Sequence, residues 1–266
     1  MSDIYELRRG NSPLLVSMPH SGESLGPYMP RMTEAALRIA DTDWHLPKLY
    51  DFLPELDATV LAASHSRYVV DLNRDPSGKS LYPGQNVTEL CPTTTFDEAP
   101  IYNEGEMPHV DEIAERVETY WQPYHTAIVT ELARIKSIHG YALLWDAHSI
   151  ASEVPRFFAG RLPDLNFGTD GGKSCGSGLG KTLKHTSQNF SDYPAVLNGR
   201  FKGGFITRKY GAPDDNIHAV QLELSQITYM NEAYPFEYCS SKASQIAQPI
   251  RTVMEAMLDW SAAQYA

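Results

Sequence analysis

Two histidines stand just past apolar runs of the same build, and their surroundings suggest metal chemistry. Pro13-Leu14-Leu15-Val16-Ser17-Met18 leads into Pro19-His20-Ser21-Gly22-Glu23, and Tyr141-Ala142-Leu143-Leu144-Trp145-Asp146 leads into Ala147-His148-Ser149. An imidazole at a strand end ligates a metal, moves a proton, or only satisfies a nearby carbonyl. Repetition of the pattern favours a shared task. Two histidines and one carboxylate around an open position form a catalytic zinc set. His20-x-x-Glu23 offers Glu23 as the carboxylate. Asp41-Thr42-Asp43-Trp44 offers Asp43, whose plainer role is to cap the next helix. Both stand as candidate ligands.

Zinc lowers the pKa of its bound water to about 7, and a nearby carboxylate must then manage the proton. Glu223 is the candidate base. It lies between Leu222 and Leu224 in an alternating strand-like run, where burying a carboxylate is costly unless it is paired or used. An exposed face of an edge strand is the alternative. Asn73-Arg74 follows a third apolar run, and an Arg fork with an amide donor suits a substrate carboxylate. Arg67, Arg208 and Lys202 are candidates for a second carboxylate, each with a surface ion pair as its alternative. His65, His109, His139 and His185 lack partners. His125 fits helix packing, while His45 and His218 could only support the site.

The elements that must position these residues read as alternating strands and helices. Strands are expected at 13–18, 58–63, 67–72, 141–146, 204–209 and 217–224. Helices are expected from about Thr33, over 46–53, over 110–137 with Pro123 kinking or dividing it, near 179–189, and over 241–263. The last carries a stripe of Ile246, Ile250, Val253, Met257 and Trp260. Residues 77–108 and 155–180 are rich in turn formers and read as functional loops. Gly171-Gly172 and Gly176-Ser177-Gly178 match no phosphate-binding fingerprint. The 266 residues lack a repeat or linker and are expected to form one α/β domain spanning 1–266.

Composition narrows the class. Hydrophobic residues at 42% and charged residues at 21% fit a globular chain rather than a disordered one. A net charge of −11 without any Lys/Arg run argues against nucleic acid as a partner. No apolar run reaches the ~20 residues of a membrane span. Met1-Ser2-Asp3-Ile4-Tyr5-Glu6 does not read as a signal peptide. The widely spaced Cys91, Cys175 and Cys239 suggest a reducing compartment, so a cytoplasmic location is expected.

In these stretches the chain resembles the N-formylglutamate amidohydrolase family. The resemblance runs through Pro19-His20-Ser21-Gly22, Asp41-Thr42-Asp43-Trp44, the run from Ser66 to Arg74, Leu81-Tyr82-Pro83-Gly84, Cys91-Pro92-Thr93-Thr94-Thr95-Phe96, Trp145-Asp146-Ala147-His148-Ser149, Gly160-Arg161-Leu162-Pro163-Asp164-Leu165-Asn166, Arg200-Phe201-Lys202-Gly203-Gly204 and Gln221-Leu222-Glu223-Leu224. It implies a fold similar to zinc carboxypeptidases and aspartoacylase-type deacylases, with a mixed, mainly parallel eight-stranded sheet between helices. It also implies zinc on His20, His148 and Glu23 or Asp43, a carboxylate grip by Asn73 and Arg74, and Glu223 as base. The activity implied is hydrolysis of N-formyl-L-glutamate, the last step of one histidine-degradation route. An amidohydrolase for another short N-acyl acidic amino acid is the alternative enzyme. A metal-free binding protein of the same fold is the alternative outside enzymes. Each would take a small molecule as its partner.

Overall fold

Buried apolar runs become the centre of a sheet, and the computed structural model describes residues 4–79 and 87–266 of it. The Leu81-Tyr82-Pro83-Gly84 stretch lies outside those residues, as do Met1, Ser2 and Asp3. The strands are β1 (Tyr5–Arg8), β2 (Leu14–Met18), β3 (Thr59–Ala63), β4 (Ala142–Ile150), β5 (Leu165–Gly168), β6 (Ala195–Leu197) and β7 (Ile217–Ser225). The helices are α1 (Leu46–Leu49), α2 (Val110–Arg116), α3 (Gln122–His139), α4 (Leu179–Ser187), α5 (Phe205–Tyr210) and α6 (Ser240–Tyr265). The sheet runs β1-β3-β2-β4-β7-β5-β6. Its inner strands β3, β2, β4 and β7 are parallel, and β1 and β5 join antiparallel. The described residues therefore give a mixed, mainly parallel sheet of seven strands rather than eight.

All nine residues of β4 are buried, as a central parallel strand covered on both faces requires. Alternation assigns the two faces. Val16, Trp145 and Val220 pack with α1, α4 and α6 on one side. Leu15, Leu144 and Ala219 pack under α3 and α5 on the other. On that second face the side chains turn polar toward the strand ends. Ser17, Asp146 and Gln221 form one row in register, and His148 pairs with Glu223 in the next.

Several expected elements differ. Residues 67–72 form no strand; their carbonyls are satisfied by side chains instead of a ladder. Tyr68 O accepts from Tyr102 (3.2 Å), Val69 O from Arg116 (2.9 Å), Leu72 O from His125 (2.8 Å) and Arg74 O from the Trp121 indole (3.0 Å). The stretch expected as a strand over 204–209 instead enters the helix α5 after Gly204, with Phe205, Ile206 and Thr207 consecutively buried, so no alternation marks them. β4 continues past Asp146 to Ile150, because its polar side chains find partners on the inner face and the ladder with β7 persists. Near Thr33 a hydroxyl does meet the Ala36 N–H at 3.2 Å, yet Ile39 at φ 42° ends a short 3-10 turn.

Pro123 stands in the first turn of α3, and a π turn just before it separates α2 from α3, as the expected division requires. The proline lacks a donor for the carbonyl four residues back, and the chain widens into a π turn over Val117–Trp121, where the Gln122 N–H reaches Val117 O. That turn brings Arg116, Trp121 and His125 all against the 69–74 segment. No helix among the described residues is long and apolar enough to cross a membrane, and Cys91, Cys175 and Cys239 are unpaired.

Candidate metal centre and active site

At the carboxyl ends of β2, β4 and β7, where open α/β sheets bind ligands, lies a cavity of about 590 Å³. His20, Asp43, His148 and Glu223 line it, and so do Asn73, Arg67 and Arg74. Ligand atoms of His20, Asp43 and His148 all lie within 4.8 Å of one another, and all three residues are buried. Asp43 Oδ2 is 3.2 Å from His148 Nδ1 and 3.8 Å from His20 Nδ1.

Each outer ring nitrogen faces a carboxylate. His20 Nε2 donates to Asp71 Oδ1 at 2.7 Å. His148 Nε2 lies 3.1 Å from Asp146 Oδ1 and 3.0 Å from Asn73 Nδ2. Asp146 Oδ2 accepts from the Thr207 hydroxyl at 2.9 Å, while its Oδ1 has no aligned hydrogen bond. A proton on His20 Nε2 leaves its Nδ1 lone pair directed at the Asp43 side, and His148 Nδ1 also faces Asp43 Oδ2, at 3.2 Å. Such carboxylate–histidine pairs orient and strengthen metal ligands. The donor set, two imidazoles and a carboxylate, suits a borderline divalent cation.

Charge supports the same fit. Asp43, Asp71, Asp146 and Glu223 are buried together, and each buried carboxylate costs several kcal/mol unless it is compensated. Arg67, also buried, bonds Asp71. Burial would raise Asp71, but Arg67, Arg74 and His20 hold it well below the usual carboxylate range. Burial would lower His148, but the charges and hydrogen bonds of Asp146 and Asp43 lift it well above an ordinary histidine. Burial pushes Glu223 up to about 8 despite the opposing His148. His20 is lowered by burial and by Arg67. The group is acid-rich, and it could hold a metal ion through His20, Asp43 and His148.

Family-model matching decides the affiliation: residues 12–230 match the model of N-formylglutamate amidohydrolase. The chain belongs to the N-formylglutamate amidohydrolase family. The N-formylglutamate deformylase of Pseudomonas aeruginosa is 49% identical over 267 residues, covering all of both chains. That of Pseudomonas putida is 46% identical over 266 residues, covering 100% of this chain and 99% of the relative. Among solved structures, an N-formylglutamate amidohydrolase from Ralstonia eutropha JMP134 superposes with a TM-score of 0.78 at 24% identity, covering 95% of this chain and 96% of the other. A protein from Agrobacterium tumefaciens gives 0.74 at 15% identity, covering 98% and 97%. Both share the family fold.

Not every expected residue joins the cavity. Glu23 is exposed. Gly22 packs so closely on the chain that a Cβ would stand 2.4 Å from His65 O, and the Ser24 N–H bonds Ser64 O at 3.1 Å. The loop is thereby stitched to the end of β3 with Glu23 turned outward. Asp43 comes inward because its N–H bonds His20 O at 3.0 Å, and it does not cap α1, which starts after His45. Arg208 donates to Gly203 O and pairs with Asp170 at 3.2 Å, away from the cavity lining. Lys202 is also outside that lining, whereas Arg200 belongs to it.

Sequence reasoning missed Asp71 and Asp146 as histidine partners, although each stands inside a quoted motif. It also missed Trp121 and His125. Their rings stack at 3.6 Å, and their N–H groups hold the carbonyls on either side of Asn73. Only the spacing within a helix containing Pro123 could have hinted at that.

Proposed function

We propose that this chain hydrolyses N-formyl-L-glutamate to formate and L-glutamate, with a divalent cation, zinc first, held by His20, Asp43 and His148. The observation that carries this reading is the convergence of those three donors beside Glu223 in one cavity. The two deformylases that match along the whole chain support the substrate. When bound, the ion supplies Lewis acidity at the formyl carbonyl and acidifies water beside it.

The chain's own residues do the rest. Glu223 takes the proton of the attacking water and delivers it to the leaving nitrogen. The water oxygen bonds to the formyl carbon as the C–N bond breaks, so Glu223 begins and ends ionised. Added positive charge at the neighbouring group favours that form. Arg67 presents its buried charge next to the reacting carbonyl or a substrate carboxylate. Arg74 with Asn73, and Arg200 on the same cavity wall, provide for the remaining carboxylate. Arg208, paired with Asp170, supports the wall rather than the substrate. Such a reaction would close a histidine-degradation route in the cytoplasm.

Formate release is the direct test, measured with N-formyl-, N-acetyl- and N-succinyl-L-glutamate before and after chelation and zinc addition. Chelator-sensitive release from the formyl compound is expected. Turnover of another acyl group in preference would move the substrate and keep the mechanism. Full activity in metal-stripped protein would remove the cation from it.

A further inference from the structure

Gln221 sits two residues before Glu223 on β7, so both side chains leave the sheet on the same face. It is buried at 3% exposure. Its Oε1 accepts the Gly204 N–H at 2.6 Å, and its Nε2 donates to Glu223 Oε2 at 3.1 Å. These two partners determine which way the amide points. Flipped, it would set a donor against the Gly204 donor and an acceptor against the Glu223 carboxylate.

Gly204 is the residue that lets its N–H reach so far in, since a Cβ there would stand 2.3 Å from Asn73 Nδ2. Two residues on, the Ile206 N–H donates to Asn73 Oδ1 at 2.8 Å. The start of α5 thus anchors both Asn73 and, through Gln221, one oxygen of Glu223.

We propose that Gln221 is the positioning residue of Glu223. It pins Oε2 and so fixes the orientation of the carboxylate that lines the cavity. Misplacing a catalytic group by about 1 Å can cost ~100-fold in rate. This inference rests on the proposed reading of Glu223 as the base.

The test compares kcat and KM for N-formyl-L-glutamate, with metal content, in wild type, Gln221→Met, Glu223→Gln and the double variant. Gln221→Met is expected to lower kcat roughly tenfold to a hundredfold, with KM and metal content unchanged. In the Glu223→Gln background it should cost less than about twofold more, because its target is gone. An unchanged kcat, a loss confined to KM, or an equal loss in the Glu223→Gln background would overturn the assignment. Should Gln221→Met not fold, Gln221→Asn gives the same reading: it keeps the amide but is too short to span Gly204 and Glu223. An inactive wild type would refute the proposed function itself. An active wild type matched by both Gln221 variants would refute only the positioning role.

Discussion

Replacing Asp146 by Asn tests the support that Asp146 gives to His148, once as an ion-pair partner and once as the outer partner of a metal ligand. Asp146 is fully buried, takes one hydrogen bond from Thr207 at 2.9 Å, and faces His148 Nε2 at 3.1 Å. No arginine pairs with it among the salt bridges of the described residues. An amide of the same shape can keep its oxygen toward His148 Nε2 and turn its NH2 to the Thr207 oxygen. The substitution removes the carboxylate that does most to keep His148 protonated, so in metal-stripped protein that buried imidazolium keeps Asp43 alone as its carboxylate partner, and the melting temperature should fall. What it takes away is the carboxylate that makes His148 a stronger ligand. Loss of such an outer partner weakens metal binding about 10- to 100-fold, or ~1.4–2.7 kcal/mol. Competition against a chromophoric chelator would measure zinc affinity, and thermal melts of stripped protein would measure stability. Unchanged zinc affinity would refute the argument, since Asp146 would then support the fold without supporting the metal ligand.

Other substitutions test the remaining assignments. Glu223→Gln should lower kcat roughly 100- to 10,000-fold with zinc still bound, as read by steady-state kinetics and metal analysis; loss of zinc would make Glu223 a ligand instead. Glu23→Gln should leave zinc affinity unchanged, because the side chain is exposed; a large loss in the same competition titration would return Glu23 to the ligand set. Stability should fall on acidification through His125. Burial lowers its pKa from 6.5 to about 4, so the folded state prefers the neutral ring. The contribution is intact above pH 6.5 and declines as the pH falls toward 4, by about 3 kcal/mol at most. Urea unfolding between those limits should show a shallower pH dependence in His125→Phe than in wild type; equal slopes would contradict the assignment.

Much of the architecture was legible because hydrophobic periodicity is local. The cores of β2, β3 and β7 could be read directly, as could α4, α6 and the long helix, and β4 up to Asp146. His20, His148 and Glu223 were recognisable because a polar group at the end of, or inside, a buried run has few inexpensive reasons to be there. Asn73 and Arg74 were visible in the same way, although their segment is irregular. What misled was polarity within the site. Asp146-Ala147-His148 looked like the end of a strand, because no local rule says that Thr207 and Asp43 will meet those side chains.

The sequence by itself determined the α/β alternation and the two histidines, and the resemblance carried by its motifs pointed to the family. It left both Glu23 and Asp43 open as carboxylate ligands. Only the tertiary structure separated them: the tight approach of Gly22 to His65 turns Glu23 to solvent, and the Asp43–His20 backbone bond turns Asp43 inward. The same holds for Asp71, Asp146, Gln221 and the Trp121–His125 pair. Each acts through a partner distant in the chain or through a register set by the sheet. Hydrogen-bond geometry between segments is decided by packing, and no local pattern encodes it.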